Sequence, residues 1–130
     1  MRIHLMNVYV DDQEKALKFY TQVLGFKKKI DISGGQYRWL TVVSPDEPDG
    51  PELHLAPNQN PAAKTFQQAL RGQGQPAAMF YVDDVEKEHD RLSKLGVRFT
   101  VPPTKTTGSR IAMLDDTCGN LIQLTKLEWG

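Results

Sequence analysis

The chain has 130 residues, about the length of a single domain. Its 16 Lys and Arg balance 16 Asp and Glu, and this zero net charge argues against a nucleic-acid partner, whose phosphates need a local basic excess. The single cysteine, Cys118, has no second cysteine for an internal disulfide. The chain lacks both an apolar run near the ~18 residues of a membrane span and a secretion-signal pattern, so we expect a cytoplasmic protein with no membrane partner.

The first predicted element is an alternating strand, "IHLMNVYV", whose valines face a core and whose opposite face carries Leu5, Asn7 and Tyr9. Asp11 stands three residues before Glu14, which is the spacing of a reciprocal helix cap. A helix is therefore predicted to begin there, and the glycine of "VLGF" ends it.

Three shorter extended stretches follow this helix: "FKKKIDI", "YRWLTVVS" and "ELHLA". Residues 57–76 then contain a short connecting helix, for which Asn60 and Pro61 suit the cap and the first turn and Gly72 suits the end. Its predicted apolar stripe consists of Ala62, Phe66, Ala69 and Leu70.

The motif "YVDD" at residues 9–12 recurs at residues 81–84, and the offset of 72 also matches a Glu and a Lys in the following helix. This second helix carries Val85, His89, Leu92 and Leu95, and three extended stretches follow it: "VRFTV", "SRIAML" and "NLIQLTKL". The sequence thus predicts an α+β fold with two tandem βαβββ modules in one domain. The first module spans residues 1–56, the connecting helix 57–76 and the second module 77–130.

Two tandem βαβββ modules, together with "FYTQVLGF" and the C-terminal "GNLIQL", resemble the vicinal oxygen chelate superfamily. That group includes glyoxalase I, bleomycin-resistance proteins, extradiol dioxygenases and fosfomycin-resistance enzymes. The resemblance implies that the modules curl a mixed sheet around a central pocket, which closes within one chain or between two chains. It also implies a homodimer as the expected assembly.

In metal-dependent relatives, one residue on the first strand and one on the last strand of each module hold a divalent metal. The resemblance places these positions at Leu5, His54, Ala77 and Gln123. Leucine and alanine cannot coordinate a metal, and a neutral amide is a weak ligand for transition metals. We therefore favour a pocket without a cofactor.

Neither of the other two histidines is predicted to supply a missing metal ligand. Strand alternation predicts that His4 faces away from the pocket, and His89 falls on the apolar stripe of the second helix. The alternative is a divalent metal held by His54, Glu52 and Gln123.

The predicted pocket wall combines aromatic and thioether surface with a few polar groups, as small-molecule sites usually do. His54 and Glu52 are the candidate catalytic residues, with His54 as a general base; the alternative is that His54 only forms hydrogen bonds. On the middle strands the pattern leaves open whether Arg38 or Trp39, and whether Arg110 or its neighbours, face the pocket. The predicted ligand-binding residues are Asn7, Tyr9, Arg38, Trp39, His54, Met79, Tyr81, Arg110, Leu121 and Gln123.

These observations favour a protein that binds a small, partly aromatic or carbonyl-bearing molecule in a metal-poor pocket. One alternative is a metal-dependent lyase, isomerase or dioxygenase of the glyoxalase type. The other is a dimer scaffold with a vestigial pocket.

Overall fold

The computed structural model describes residues 1–129 and shows two compact units, one from Met1 to Thr65 and one beginning at Phe66. Each unit contains a four-stranded mixed sheet, and each follows the order β, α, β, β, β. The predicted α+β fold of two tandem βαβββ modules is thereby confirmed. No helix within residues 1–129 is long and apolar enough to cross a membrane.

The first unit orders its strands β1-β4-β3-β2, with β1 parallel to β4 and the other neighbours antiparallel. One face of this sheet packs on the helix and is termed the helix face; it buries Val8, Val10, Leu40 and Leu55. The elements are β1 (Leu5–Val10), α1 (Gln13–Lys18) with a π-helical continuation (Phe19–Val23), β2 (Lys27–Gly34), β3 (Tyr37–Val43) and β4 (Glu52–Pro57).

The second unit repeats this topology with the strand order β5-β8-β7-β6, again with a parallel first pair. Val85 and Leu92 of its helix and Leu114 and Ile122 of its sheet are fully buried. The elements are β5 (Ala78–Tyr81), α3 (Val85–Lys94), β6 (Phe99–Thr106), β7 (Ser109–Asp115) and β8 (Leu121–Leu127), while α2 (Pro61–Gly72) joins the two repeats.

The first helix begins one residue later than the Asp11 cap predicts, and the second helix begins at the equivalent position of the repeat. The caps are Asp12 and Asp84, whose side chains accept hydrogen bonds from the backbone N–H groups of Lys15 and Lys87 at 3.0 Å each. In each pair, the residue three positions after either aspartate has a backbone N–H group that could donate to it. The spacing in the sequence therefore does not show which aspartate caps the helix. In the first repeat, the carboxylate of Glu14 does not take part in a cap, because it accepts a hydrogen bond from Arg38 of β3.

The predicted apolar stripe of α2 is wrong, because the buried residues of this helix are Ala63 and Gln67, and Phe66 is 58% exposed. A polar side chain is buried here because Nε2 of Gln67 donates to the carbonyl oxygen of Cys118 (3.1 Å) and to Oδ1 of Asn120 (3.2 Å). Residues more than fifty positions further along the chain thus decide which face of α2 is covered.

Candidate functional site

One face of the first sheet is turned away from α1, and on this face side chains from three neighbouring strands meet around His54. In β4, His54 lies beside Asn7 of β1 on one side and beside Thr41 of β3 on the other. Since paired residues of adjacent strands project to the same face, these polar side chains form one group. His54 is 4% exposed, which places an ionisable ring at the buried centre of this face.

Aromatic rings extend from His54 towards solvent. The indole of Trp39 stacks on the imidazole with ring centroids 3.9 Å apart and an interplanar angle of 27°. Tyr37 stacks in turn on Trp39 with centroids 6.4 Å apart, and Tyr37 is 53% exposed. The three rings therefore form a continuous aromatic surface that runs from a buried imidazole to an exposed phenol, which we call the aromatic strip.

One nitrogen of His54 is satisfied and the other is not. Nδ1 lies 3.0 Å from Oδ1 of Asn7, and because a carbonyl oxygen only accepts, Nδ1 carries the proton. Nε2 is buried and has no hydrogen-bond partner among the described residues 1–129. An unsatisfied buried polar group costs roughly 1–3 kcal/mol. Such a group marks a place where a bound molecule would restore a hydrogen bond.

Burial lowers the pKa of the His54 imidazole, because a charged ring is poorly solvated there. The neutral ring is therefore favoured near pH 7. In the tautomer set by Asn7, Nε2 presents a lone pair and acts as a hydrogen-bond acceptor.

Glu52 lies two residues before His54 on the same strand face, and its carboxylate is already engaged. Oε1 accepts a hydrogen bond from Oγ1 of Thr41 (2.8 Å), and Oε2 lies 3.5 Å from Nε2 of His4 and 4.0 Å from Nζ of Lys29. A carboxylate with three neighbours of this kind is held in place and is poorly suited to act as a free general base.

The prediction that His4 faces away is wrong. His4 precedes the first residue of β1, so strand alternation does not govern its side chain, and its imidazole reaches Glu52. Sequence reasoning also missed Thr41 and Lys29. Thr41 shares a face of β3 with Trp39, so the open choice between Arg38 and Trp39 left Thr41 unassigned as well. No sequence pattern connects Lys29 with Glu52.

Arg38 lies on the helix face of the sheet, away from His54. Its Nη1 lies 2.8 Å from Oε2 of Glu14, and its Nε and Nη2 each lie 2.8 Å from one carboxylate oxygen of Asp31. The hydrogen bond from Arg38 lowers the pKa of Asp31. Of the two candidates on β3, it is Trp39 that shares a face with His54.

Arg110 occupies the equivalent place in the second unit, 72 residues after Arg38. Its Nε lies 3.1 Å from Oε1 of Glu86 in α3 and 3.6 Å from Oε1 of Glu128. Arg110 therefore also lies on the helix face of its sheet. It does not join the predicted ligand-binding residues of the opposite face.

In the second unit, that opposite face is built around Gln123. Its Nε2 donates to Oγ1 of Thr125 (3.1 Å) and lies 3.7 Å from Sδ of Met79, its neighbour on β5. Tyr81 is 75% exposed, and Leu121 is buried. This sheet face therefore presents thioether and phenol surface beside an amide, and the role of these four residues in ligand binding stays a prediction.

The remaining predicted positions fall at the edges of the two sheets. Tyr9 is half-buried and pairs with Ala56 on the parallel strand β4. Leu5, at the start of β1, is 42% exposed, and Ala77 directly precedes β5 and donates its N–H to the carbonyl oxygen of Leu121.

The side chains fit a catalytic metal poorly. Two of the four positions that the resemblance assigns to metal ligands hold the hydrocarbon side chains of Leu5 and Ala77, and the neutral amide of Gln123 is a weak ligand for transition metals. Across residues 1–129, no group of three or more His, Cys, Asp or Glu side chains is arranged to hold a metal ion. A catalytic zinc site generally needs three protein ligands.

Comparison with known proteins agrees with the fold. The model of the Glyoxalase/Bleomycin resistance protein/Dioxygenase superfamily matches residues 2–124. The Bacillus subtilis protein YurT is 52% identical over 126 residues, which cover 97% of this chain and 99% of YurT. The crystal structure of UcmS2 matches with a TM-score of 0.83 at 29% identity, covering 96% of this chain and 97% of UcmS2.

The crystal structure of TnmS3, an antibiotic binding protein from Streptomyces sp. CB03234, matches with a TM-score of 0.78 at 30% identity. This match covers 98% of the present chain and 96% of TnmS3. The family match over residues 2–124 confirms the resemblance carried by the sequence motifs. The chain belongs to the Glyoxalase/Bleomycin resistance protein/Dioxygenase superfamily, the vicinal oxygen chelate group.

Proposed function

We propose that this protein binds a small, partly aromatic molecule on the sheet face that carries Trp39 and His54, without a bound metal. The observation that carries the proposal is the buried Nε2 of His54, which lacks a hydrogen-bond partner within residues 1–129 and adjoins the aromatic strip. A flat ligand gains area and stacking against such rings, and one polar contact orients it.

The chemistry of the neighbouring groups favours binding over catalysis. Asn7 holds the His54 ring through Nδ1, and Glu52 is occupied by Thr41, with His4 and Lys29 close to its second oxygen. Catalysis by paired acids and bases needs a group that is free to exchange protons with the substrate. The likeness to TnmS3, itself an antibiotic binding protein, also supports a role in binding.

The proposal is tested by thermal-shift screening against aromatic metabolites and antibiotics, followed by calorimetric titration of each hit. A ligand that binds only the native state raises the melting temperature, since it adds about 2.7 kcal/mol of stability at a hundred times its Kd. Trp39→Leu should weaken binding by roughly fivefold or more, because the loss of one stacked ring costs on the order of 1 kcal/mol or more.

Trp129→Leu is the matched control, because Trp129 packs against Gly108 in the second unit. It should bind the same ligand as tightly as the parent protein. Failure of every compound to stabilise the protein, or full affinity in Trp39→Leu, would contradict the proposed function.

Metal content tests the metal-free part of the proposal. Protein purified without chelator should contain substoichiometric nickel, zinc, iron and manganese by elemental analysis, and His54→Ala should leave that content unchanged. Stoichiometric metal that disappears in His54→Ala would instead favour the metal-dependent lyase, isomerase or dioxygenase. The expected homodimer stays a prediction, and sedimentation velocity of the purified chain measures it.

A further inference from the structure

We infer that the bound molecule carries a hydroxyl group on an aromatic ring, and that this phenol donates a hydrogen bond to Nε2 of His54. The inference rests on the proposed function and specifies the ligand class. It follows from three features of the site: the direction of the unmade hydrogen bond, the charge of the groups around it and the shape of the surface that leads to it.

The direction is set by Asn7. With Oδ1 of Asn7 accepting from Nδ1 of His54 at 3.0 Å, the neutral imidazole keeps its only proton on Nδ1. Nε2 is then an acceptor and can be satisfied only by a donor. A ligand that offers a carbonyl or ether oxygen at this point would place two acceptors against each other, so the carbonyl-bearing class considered from the sequence is disfavoured at His54.

The charge of the surroundings disfavours a cationic donor. An ammonium group beside Nε2 would need a nearby carboxylate, because an unpaired charge is costly to remove from water. The nearest acid on this strand face is Glu52, and its oxygens are taken up by Thr41, His4 and Lys29. A neutral donor therefore fits the site better than an amine.

The shape of the surface around His54 favours a ligand with a flat ring. Exposure rises along the aromatic strip, from the buried His54 through the half-buried Trp39 to the exposed Tyr37. A donor joined directly to a flat ring would reach the imidazole while its ring remained against these side chains. A phenol is also a stronger donor and a weaker acceptor than an aliphatic alcohol, so its hydroxyl oxygen loses less on leaving water.

Nε2 is buried in the free protein, so the hydroxyl reaches it only after a neighbouring side chain moves. Binding should therefore change the environment of Trp39, whose ring lies on the imidazole. The nitrogen resonances of His54 report the hydrogen bond itself.

The test uses two probes of nearly the same shape, 2-naphthol and 2-methoxynaphthalene, titrated by calorimetry into the full-length protein. The phenol should bind about tenfold more tightly than its methyl ether, the value of one net hydrogen bond. His54→Phe retains an aromatic ring for Trp39 but has no acceptor, and it should bind both probes equally.

His89→Phe is the matched control, since His89 lies on α3 of the second unit, edge-on to Phe99 with ring centroids 4.5 Å apart. This control should keep the preference for 2-naphthol. Equal affinity of the parent protein for both probes would overturn the inference and leave the proposed function standing. Failure to bind either probe would also overturn it, while the compound screen and Trp39→Leu decide the proposed function separately.

Nitrogen-15 NMR of the imidazoles gives a second readout that does not depend on the folding of His54→Phe. The free protein should show the proton of His54 on Nδ1, and addition of 2-naphthol should shift the Nε2 resonance in the direction of an accepted hydrogen bond. A proton on Nε2 in the free protein, or an unchanged Nε2 resonance in the 2-naphthol complex, would refute the inference.

Discussion

Arg38 and Glu14 join the middle strand of the first sheet to the start of α1, with Nη1 2.8 Å from Oε2. The same connection recurs 72 residues later between Arg110 and Glu86, at 3.1 Å. The internal repeat therefore includes an ion pair between strand and helix as well as the helix cap. Both arginines lie on the helix faces of their sheets, whereas the opposite faces carry aromatic, thioether and polar side chains, among them the engaged carboxylate of Glu52.

Replacing Arg38 should affect stability and leave ligand binding unchanged. Arg38→Met removes a bidentate pair with Asp31 and the bond to Glu14, both partly exposed, so we expect a loss of about 1 kcal/mol in the free energy of unfolding. Urea denaturation measures the loss, and calorimetry with a ligand from the screen measures the affinity.

Arg110→Met is the matched control in the second unit and should cost less, because its contacts of 3.1 and 3.6 Å are longer. A marked fall in ligand affinity in Arg38→Met would mean that this side chain takes part in the site after all.

Stability should depend on the protonation of His54. Burial holds the pKa of His54 below its ordinary value of 6.5 in the folded protein, whereas the unfolded chain titrates near that value. Below about pH 6.5 the unfolded state binds more protons, so the free energy of unfolding falls as the pH falls and levels off below the folded pKa. The slope in this window is at most about 1.4 kcal/mol per pH unit.

Comparison with His54→Phe isolates this effect, since the two proteins share every other ionisable group. Urea denaturation between about pH 7 and pH 5 should give a shallower slope for the variant. Identical slopes would show that the imidazole is not held neutral by burial.

Gly108 should tolerate no side chain. Its φ is 79°, and an added Cβ would collide with the ring of Trp129. Gly108→Ala should lower the free energy of unfolding by about 1–2 kcal/mol for the left-handed backbone and by roughly another 0.5–1.5 kcal/mol because the exposed Trp129 ring must move aside. Thermal and urea denaturation measure the sum.

Gly96→Ala separates the two contributions, because Gly96 has a φ of 87° and open space around it. In a Trp129→Ala background, the two alanine substitutions should cost nearly the same. If Gly108→Ala still cost more than Gly96→Ala in the Trp129→Ala background, contact with Trp129 would not be the cause of the extra loss.

Asp116 should be the most sensitive carboxylate of the second unit. It is fully buried; its Oδ1 accepts from the N–H groups of Cys118 (2.7 Å) and Asn120 (3.0 Å), and its Oδ2 accepts from Nδ2 of Asn120 (2.8 Å). Asp116→Ala leaves these donors unsatisfied, so we expect a loss of roughly 3 kcal/mol by urea denaturation. Asp46→Ala in an exposed turn should change stability by less than about 0.5 kcal/mol, and comparable losses would contradict this role of Asp116.

Much of the candidate site follows from strand parity. Alternation placed Glu52 and His54 on one face of their strand and Asn7 on the face of Leu5 and Tyr9, and the family resemblance put these two faces together. The register of β1 with β4 pairs Asn7 with His54, as this combination requires. The choice between Arg38 and Trp39 could not be made this way, because β3 carries apolar side chains at both parities. The error at His4 has the same origin, since alternation holds only within the paired strand.

The sequence by itself determined the duplicated order of strands and helices, because hydrophobic period, helix caps and turn residues act over a few neighbouring positions. The family resemblance carried by its motifs also implies that Leu5 and Ala77 stand where metal-dependent relatives have ligands, and that prediction needs only the residue type at each position. Only the tertiary structure decided which polar atoms are satisfied: Nδ1 of His54 meets an oxygen 47 residues away, while Nε2 meets none within residues 1–129. Hydrogen-bond partners across a sheet come from distant parts of the chain, so no local pattern reveals the one that is missing.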